Sequence, residues 1–205
     1  MQKFKYDSDL IGGSLLVRES RVIAELLLQS ANETEWKQAI QEENRLQKRS
    51  LASAKRQARA LRQRLGRLDQ PFWRALRDGD DELATQIAFV ATLERNLLLM
   101  EFVETVVRDA FILRVERLAH YQWMEFLEDR ANRDPTILGW TESSKKKMGQ
   151  VVFRILAEVG ILQSTRSLRL QHILVRPEVN VLLEDSHRYR IKECLNVSSA
   201  NPAQV

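Results

Sequence analysis

Asn44–Leu68 reads NRLQKRSLASAKRQARALRQRLGRL. It carries nine basic residues (Arg45, Lys48, Arg49, Lys55, Arg56, Arg59, Arg62, Arg64 and Arg67) and no Asp or Glu. Ala, Leu, Arg, Lys and Gln are strong helix formers, so the segment reads as helix, with Ser50 as a candidate N-cap. Successive residues advance about 100° around a helix. On that wheel Lys48, Arg49, Lys55, Arg56, Arg59 and Arg67 fall within about 80° of Arg45, and Arg62 and Arg64 lie near the edges. Ala54, Ala58, Leu61, Leu65 and Leu68 take the opposite side. One face is therefore core and the other a cationic stripe; a break at Ser50 shortens the stripe to Lys55–Arg67.

Like charges three and four residues apart cost an exposed helix a few tenths of a kcal/mol per pair. Three duties could offset that cost. The stripe could be solvated or paired with acids, for which Glu42, Glu43, Glu101, Glu104 and Glu116 are the candidates. It could contact phosphates and release their counterions. It could lie on an anionic membrane, which its Ala/Leu opposite face, without Trp or Phe, disfavours. No aromatic interrupts the segment, so duplex backbone fits better than a single-strand stacking platform.

Outward from this stretch the chain stays helical in composition. It has 205 residues, with seven Gly and four Pro. Asn32 and Glu35 have capping-box spacing ahead of a helix through Trp36 to about Gln47. Upstream, Ser14 after Gly12-Gly13 is the expected N-cap of a first helix with Leu15, Leu16, Val22, Ile23, Leu26 and Leu27 as its stripe. Downstream, Asp69 before Pro71 starts a short helix and Gly79 stops it. Asp80 and Asp81 open a long helical stretch to about Ala131, too long for one rod, with a break expected between residues 92 and 118. NRDPTILGW (132–140) reads as a linker. Thr141 caps a helix with Met148, Val151, Val152, Ile155 and Val159 as its stripe and Gly160 as its stop. ILQ, STRS and LRLQHILV then signal a β-hairpin. Pro177 begins a last short helix, and the tail after Asn196 reads as disordered. The expected division is 1–132, a helical domain; 133–195, a winged-helix-like domain; and 196–205, a tail.

The C-terminal region holds a second basic element. Lys145, Lys146 and Lys147 open its helix, where they oppose the macrodipole. Arg166 and Arg169 lie at the hairpin tip and flank. A winged helix would use such charges on a groove and a backbone; the plainer alternative is a packed helix and hairpin with exposed lysines.

The formal net charge is +4 and the pI about 9.4. One cysteine, Cys194, gives no disulfide framework and suits a reducing compartment. MQKFKYDSDL lacks an apolar signal-peptide core, and the most apolar run, residues 87–107, is broken by Glu94, Arg95, Glu101 and Glu104. A cytoplasmic protein is expected. No phosphate loop, Cys-x-x-Cys, His-Glu-x-x-His or Gly-x-Ser-x-Gly is present. His120, His172 and His187 lack metal-ligand spacing, and His120 reads as a core histidine. The DGDDE run (78–82) reads as caps and turns. Neither enzyme nor metal, cofactor or small-molecule substrate is expected.

YDSDLIGGSLLVRES (6–20), Trp36, the basic run itself, Trp140 and LAEVGIL (156–162) together resemble the BrxA family of bacteriophage-exclusion (BREX) defence systems. The resemblance spans about residues 6–185 and rests on the ordered set, since each motif is short. It implies a small non-enzymatic component of a phage-defence operon, helical and in part similar to the antitermination factor NusB, with DNA binding associated with the family and no catalytic residues to carry over. The combined expectation is a mainly α helical bundle followed by a winged-helix-like helix and hairpin. It would bind double-stranded DNA with little sequence specificity through Lys48, Arg49, Lys55, Arg56, Arg59 and Arg62, and secondarily through Lys145, Lys146, Arg166 and Arg169. RNA binding, or a scaffold docking an acidic BREX partner, are the alternatives.

Overall fold

The computed structural model describes residues 5–7, 10 and 13–199. In chain order the helices are α1 (Val17–Leu28), α2 (Glu33–Lys37) running into a π-helical turn (Gln38–Glu42), α3 (Leu51–Leu65), α4 (Gln70–Asp78) and α5 (Asp81–Arg95). Then come α6 (Leu97–Phe102), a π turn (Val103–Val107), α7 (Arg108–Ile112), α8 (His120–Ala131), a 3-10 turn (Pro135–Gly139), α9 (Glu142–Glu158), α10 (Pro177–Asp185), α11 (Tyr189–Leu195) and a 3-10 turn (Asn196–Ser199). The chain is mainly helical. It forms two compact units that are not consecutive stretches: one is Leu15–Arg95 with Arg176–Ser186, the other Met1–Ser14, Asn96–Val175 and His187–Val205. This is a different division from the expected boundary at residue 132.

In the Leu15–Arg95 unit, α5 is the core rod. Ala84, Ile87, Phe89, Val90 and Leu93 are fully buried, and α1, α3, α4 and α10 pack on it. The caps follow local chemistry. Asn32 accepts from the amides of Thr34 and Glu35 while Glu35 accepts from the Asn32 amide. Ser50 accepts from the Ser53 amide, and Asp80 from the Leu83 amide at 2.8 Å. Each satisfies an orphan donor of a helix start, so Asp80 of DGDDE has the expected cap duty. The first helix departs from expectation. Leu16, at φ 53, precedes α1, and Ser14 lies two residues further out. The turn leaves Leu15 1% exposed, so burial of Leu15 wins over a serine cap. The second helix also ends early, in its π turn at Glu42.

The Asn96–Val175 unit is centred on Phe102, which meets Trp123, Phe126 and Phe153 edge-on with centroids 5.3, 5.3 and 6.1 Å away. Such edge-to-face pairs add to the burial of large rings. Gly149 lets α9 close on α8: a Cβ there would stand 2.6 Å from Trp123 Cδ1. Trp123 Nε1 donates to the Lys145 carbonyl at 3.0 Å. The long helical stretch breaks at Asn96, whose side chain caps α6, and again between α7 and α8, within the expected window.

NRDPTILGW is an ordered part of this unit. Asp134 is 1% exposed and accepts from the Tyr6 amide at 2.7 Å. Tyr6 in turn donates its hydroxyl to Glu101 at 2.7 Å, and Arg133 donates to the other Glu101 oxygen at 2.9 Å. Arg130 Nε lies 3.1 Å from the same carboxylate without hydrogen-bond alignment.

The expected β-hairpin is corrected. Among the described residues there are no strands, only two isolated antiparallel bridges, Leu162↔Leu170 and Arg117↔Arg169. The amide of Gln163 donates to Arg169 and that of Gln171 to Ile161, while Leu170 and Leu118 exchange bonds with the 116–118 and 168–170 segments on the other side. Leu168 at φ 50 interrupts the extended run, so the ladder is too short to be a strand. The end of the chain differs too: α11 follows α10, burying Ile191, Cys194 and Leu195. Residues 196–199 form a 3-10 turn in which the Ser198 hydroxyl accepts from the Ile173 amide at 3.2 Å. Residues 200–205 of the expected tail, like Gly12 of the expected first-helix signal, lie outside the described residues.

Candidate nucleic-acid interface

α3 begins at Leu51, with Ser50 as its cap. Ala54, Ala58, Leu61 and Leu65 are buried, as the apolar face requires. Lys55, Arg56 and Arg59 are exposed and form no ion pair among the described residues. Lys55, Arg59 and Arg62 stand at i, i+4 and i+7, a single row along the helix, and Arg56 flanks it. Arg62 is held differently. Its guanidinium donates to Glu33 at 2.8 Å and lies 4.4 Å from the Trp36 ring centroid. Arg64, expected at the stripe's edge, turns inward and is 6% exposed.

The expected N-terminal part of the stripe does not belong to the helix. Asn44 and Gln47 have φ of 48 and 51, and the chain folds back so that Leu46 is fully buried. Arg45 thereby pairs with Glu25 at 2.6 Å and Lys48 with Glu19. Burial alone would raise the Glu19 carboxyl. The Lys48 hydrogen bond, a backbone hydrogen bond and the Lys48 and Arg18 charges outweigh it and hold the group below the usual carboxylate range. Lys48 is a buried-pair residue, not a free cation. Arg49 remains exposed, without an ion pair among the described residues. Among the acids that pair with this region are Glu19, Glu25 and Glu33. Of the acids expected for that role, Glu101 binds Tyr6 and Arg133, and Glu104 pairs with Arg190.

In the other unit, Thr141 caps α9 through the Ser144 amide. Lys145 keeps 13% of its side chain exposed and pairs with Glu142 at 3.1 Å. Lys146, Arg166 and Arg169 are exposed, with no ion pair among the described residues. Arg169 is bridged opposite Arg117, a neighbour 52 residues upstream that helix and hairpin reasoning did not select.

No three His, Cys, Asp or Glu side chains cluster as metal ligands among the described residues. His120 is exposed rather than core, its ring edge-on to Phe153 at 5.0 Å. Burial pushes the Cys194 thiol up to about 12, so it stays protonated near neutral pH. No helix in the described residues is long and apolar enough to cross a membrane.

A mainly helical protein with a capped, acid-free basic helix is the class these features define. The BrxA family model matches residues 4–187, and the chain belongs to that family of BREX phage-defence proteins. The BREX protein BrxA of Paramagnetospirillum magneticum is 37% identical over 198 residues, covering 97% of this chain and all of the relative. The BREX protein BrxA of Escherichia coli O9:H4 is 36% identical over 176 residues, covering 86% of this chain and 83% of the relative. The crystal structure of an uncharacterized protein from Magnetospirillum magneticum superposes with a TM-score of 0.87 at 37% identity, covering 95% of this chain and all of that one.

Proposed function

We propose that this chain is a non-enzymatic DNA-binding component of its BREX system, whose α3 contacts duplex phosphates with little sequence specificity. One observation carries the reading. Lys55, Arg56 and Arg59 stand exposed and unpaired among the described residues, on a helix without a single acid, while Arg45 and Lys48 just upstream are neutralised. Phosphates along a duplex relieve the mutual repulsion of such a row and release counterions. Backbone contacts of this kind position a protein without reading bases. Arg49 extends the set, and Arg62 is restrained by Glu33. Lys146, Arg166 and Arg169 make a second contact; Lys48 and Lys145, engaged with Glu19 and Glu142, drop out of the sites.

The test is fluorescence anisotropy of a labelled random duplex across a salt series. Wild-type affinity is expected to fall with a log–log slope of about −0.9 per phosphate contacted. The triple variant Lys55→Glu, Arg56→Glu, Arg59→Glu is expected to abolish the shift. Unchanged affinity in a folded triple variant would refute the assignment.

A further inference from the structure

Beside the free row of α3, a groove of about 190 Å³ opens between α3 and the α2–π-turn segment. Its apolar lining comes from Trp36, Ile40 and Ala58, and its charged lining from Lys37, Lys55, Arg59 and the Arg62–Glu33 ion pair, so that cations outnumber the one carboxylate. Lys37, like Lys55 and Arg59, is exposed and has no ion pair among the described residues. The volume is several times the ~30 Å³ share of a water molecule and short of the roughly 300–1,000 Å³ of cofactor-sized sites. It suits one ring-sized group. A bare phosphate would leave the apolar lining unused; a purely apolar group would leave three cations unanswered. Together they match a flat apolar group that carries an anion.

The wall supplies a surface for such a group. The Arg62 guanidinium is fixed over Trp36 at 4.4 Å from the centroid and tied to Glu33, yet 44% of the side chain stays exposed. A guanidinium plane held in this way stacks on a base. Ile40 and Gln41, which also line the groove, belong to the π turn Gln38–Glu42; single π turns within helices recur at functional sites. Lys55 and Arg59 belong both to the groove and to the phosphate row, so a backbone following the row passes its mouth. Bases inside a duplex are paired and stacked and cannot enter. An unpaired one can.

We propose that this groove receives an unpaired nucleotide of the bound DNA, its base stacked on Arg62 and its phosphate held by Lys55 and Arg59. The inference rests on the DNA-binding reading. It adds a preference for ends, gaps or bulges, and it places an aromatic-backed stacking site where the sequence of α3 alone showed none.

The experiment compares the full chain on a blunt duplex and on the same duplex with a short single-stranded tail. Wild type is expected to favour the tailed DNA by on the order of tenfold. Arg62→Lys keeps the charge and removes the planar guanidinium; Gln41→Trp fills the groove without changing charge. Each is expected to abolish the tail preference, and Gln41→Trp to do so while leaving blunt-duplex affinity within about twofold of wild type, with folding checked by thermal unfolding. Equal wild-type affinity for both DNAs overturns the groove assignment and leaves the duplex reading standing. Equal weakening of both DNAs by Arg62→Lys also overturns it, because Arg62 would then be one more phosphate contact. Binding to neither DNA overturns both readings. In that case an acidic, aromatic-containing peptide bound in an Arg62→Lys-sensitive way would assign the groove to a protein partner.

Discussion

In residues 44–50, Arg45 and Lys48 are drawn back onto α1 by Glu25 and Glu19; in α3, Lys55, Arg56 and Arg59 stand in water with no carboxylate partner among the described residues. The two stretches adjoin and share a composition. Backbone path separates them. Positive φ at Asn44 and Gln47 folds the first stretch back, which buries Leu46 and aims its neighbours at acids of α1. In α3 the apolar face is occupied by the core, and Lys55, Arg56 and Arg59 on the other face meet no acid among the described residues. Charge density therefore locates an interface only after the cations that serve the fold are subtracted.

The largest expected effect separates the two stretches by binding. Lys55→Gln, Arg56→Gln, Arg59→Gln together should weaken duplex binding on the order of 100-fold in moderate salt and flatten the salt slope by about 0.9 for each phosphate no longer neutralised. Arg45→Gln, measured in the same titration, should change affinity by less than about twofold. Equal losses would erase the distinction.

The next effect concerns stability. Lys48→Met leaves the Glu19 carboxylate, itself 8% exposed, without its hydrogen-bonded base and with only Arg18, 3.9 Å away. Removing one partner of a buried pair should cost about 2–3 kcal/mol in urea unfolding at neutral pH, with DNA affinity of the folded protein retained. The pH dependence sharpens this. In the wild type Glu19 lies below its ordinary value, so its contribution is complete above the unfolded carboxylate pKa and is lost as pH falls through the folded one. In Lys48→Met the push of burial is opposed only by a backbone hydrogen bond and the more distant Arg18 charge, so the carboxyl is held down less. The stability gap between the two proteins should therefore narrow as pH falls below about 4. A constant gap would mean the pair contributes through packing rather than charge.

A smaller effect tests the other unit. Gly149→Ala drives a methyl group against Trp123 and should cost about 1–2 kcal/mol of stability by overpacking. Duplex binding through α3 should be unchanged once folding is accounted for; a parallel loss of binding would place the interface elsewhere.

Much of the helical framework was legible because its signals are local. Asn32 with Glu35, Ser50, Asp69 ahead of Pro71, Thr141 and Gly160 act within one turn of their own position, where neighbouring residues decide the outcome. The break of the long helical stretch was legible for a similar reason, since the Asn96 side chain caps α6 from the adjoining position. The hairpin misled because its alternation was real but short. A positive φ at Leu168 and a third segment from residues 116–118 turned it into bridges instead of strands.

The sequence by itself determined that this protein is mainly helical, where most of its helices begin, that one helix would be cationic on one side, and the family to which its ordered motifs belong. Tertiary structure decided which cations are spent on Glu19, Glu25 and Glu33, that Arg62 lies on Trp36, and that residues 176–186 complete the unit built from 15–95. The physical reason is reach. A cap or a helix face is settled by atoms a few residues apart, whereas an ion pair or a stacked guanidinium depends on where a chain returns after tens of residues, under the demand that Leu46, α5 and the other apolar groups leave water first.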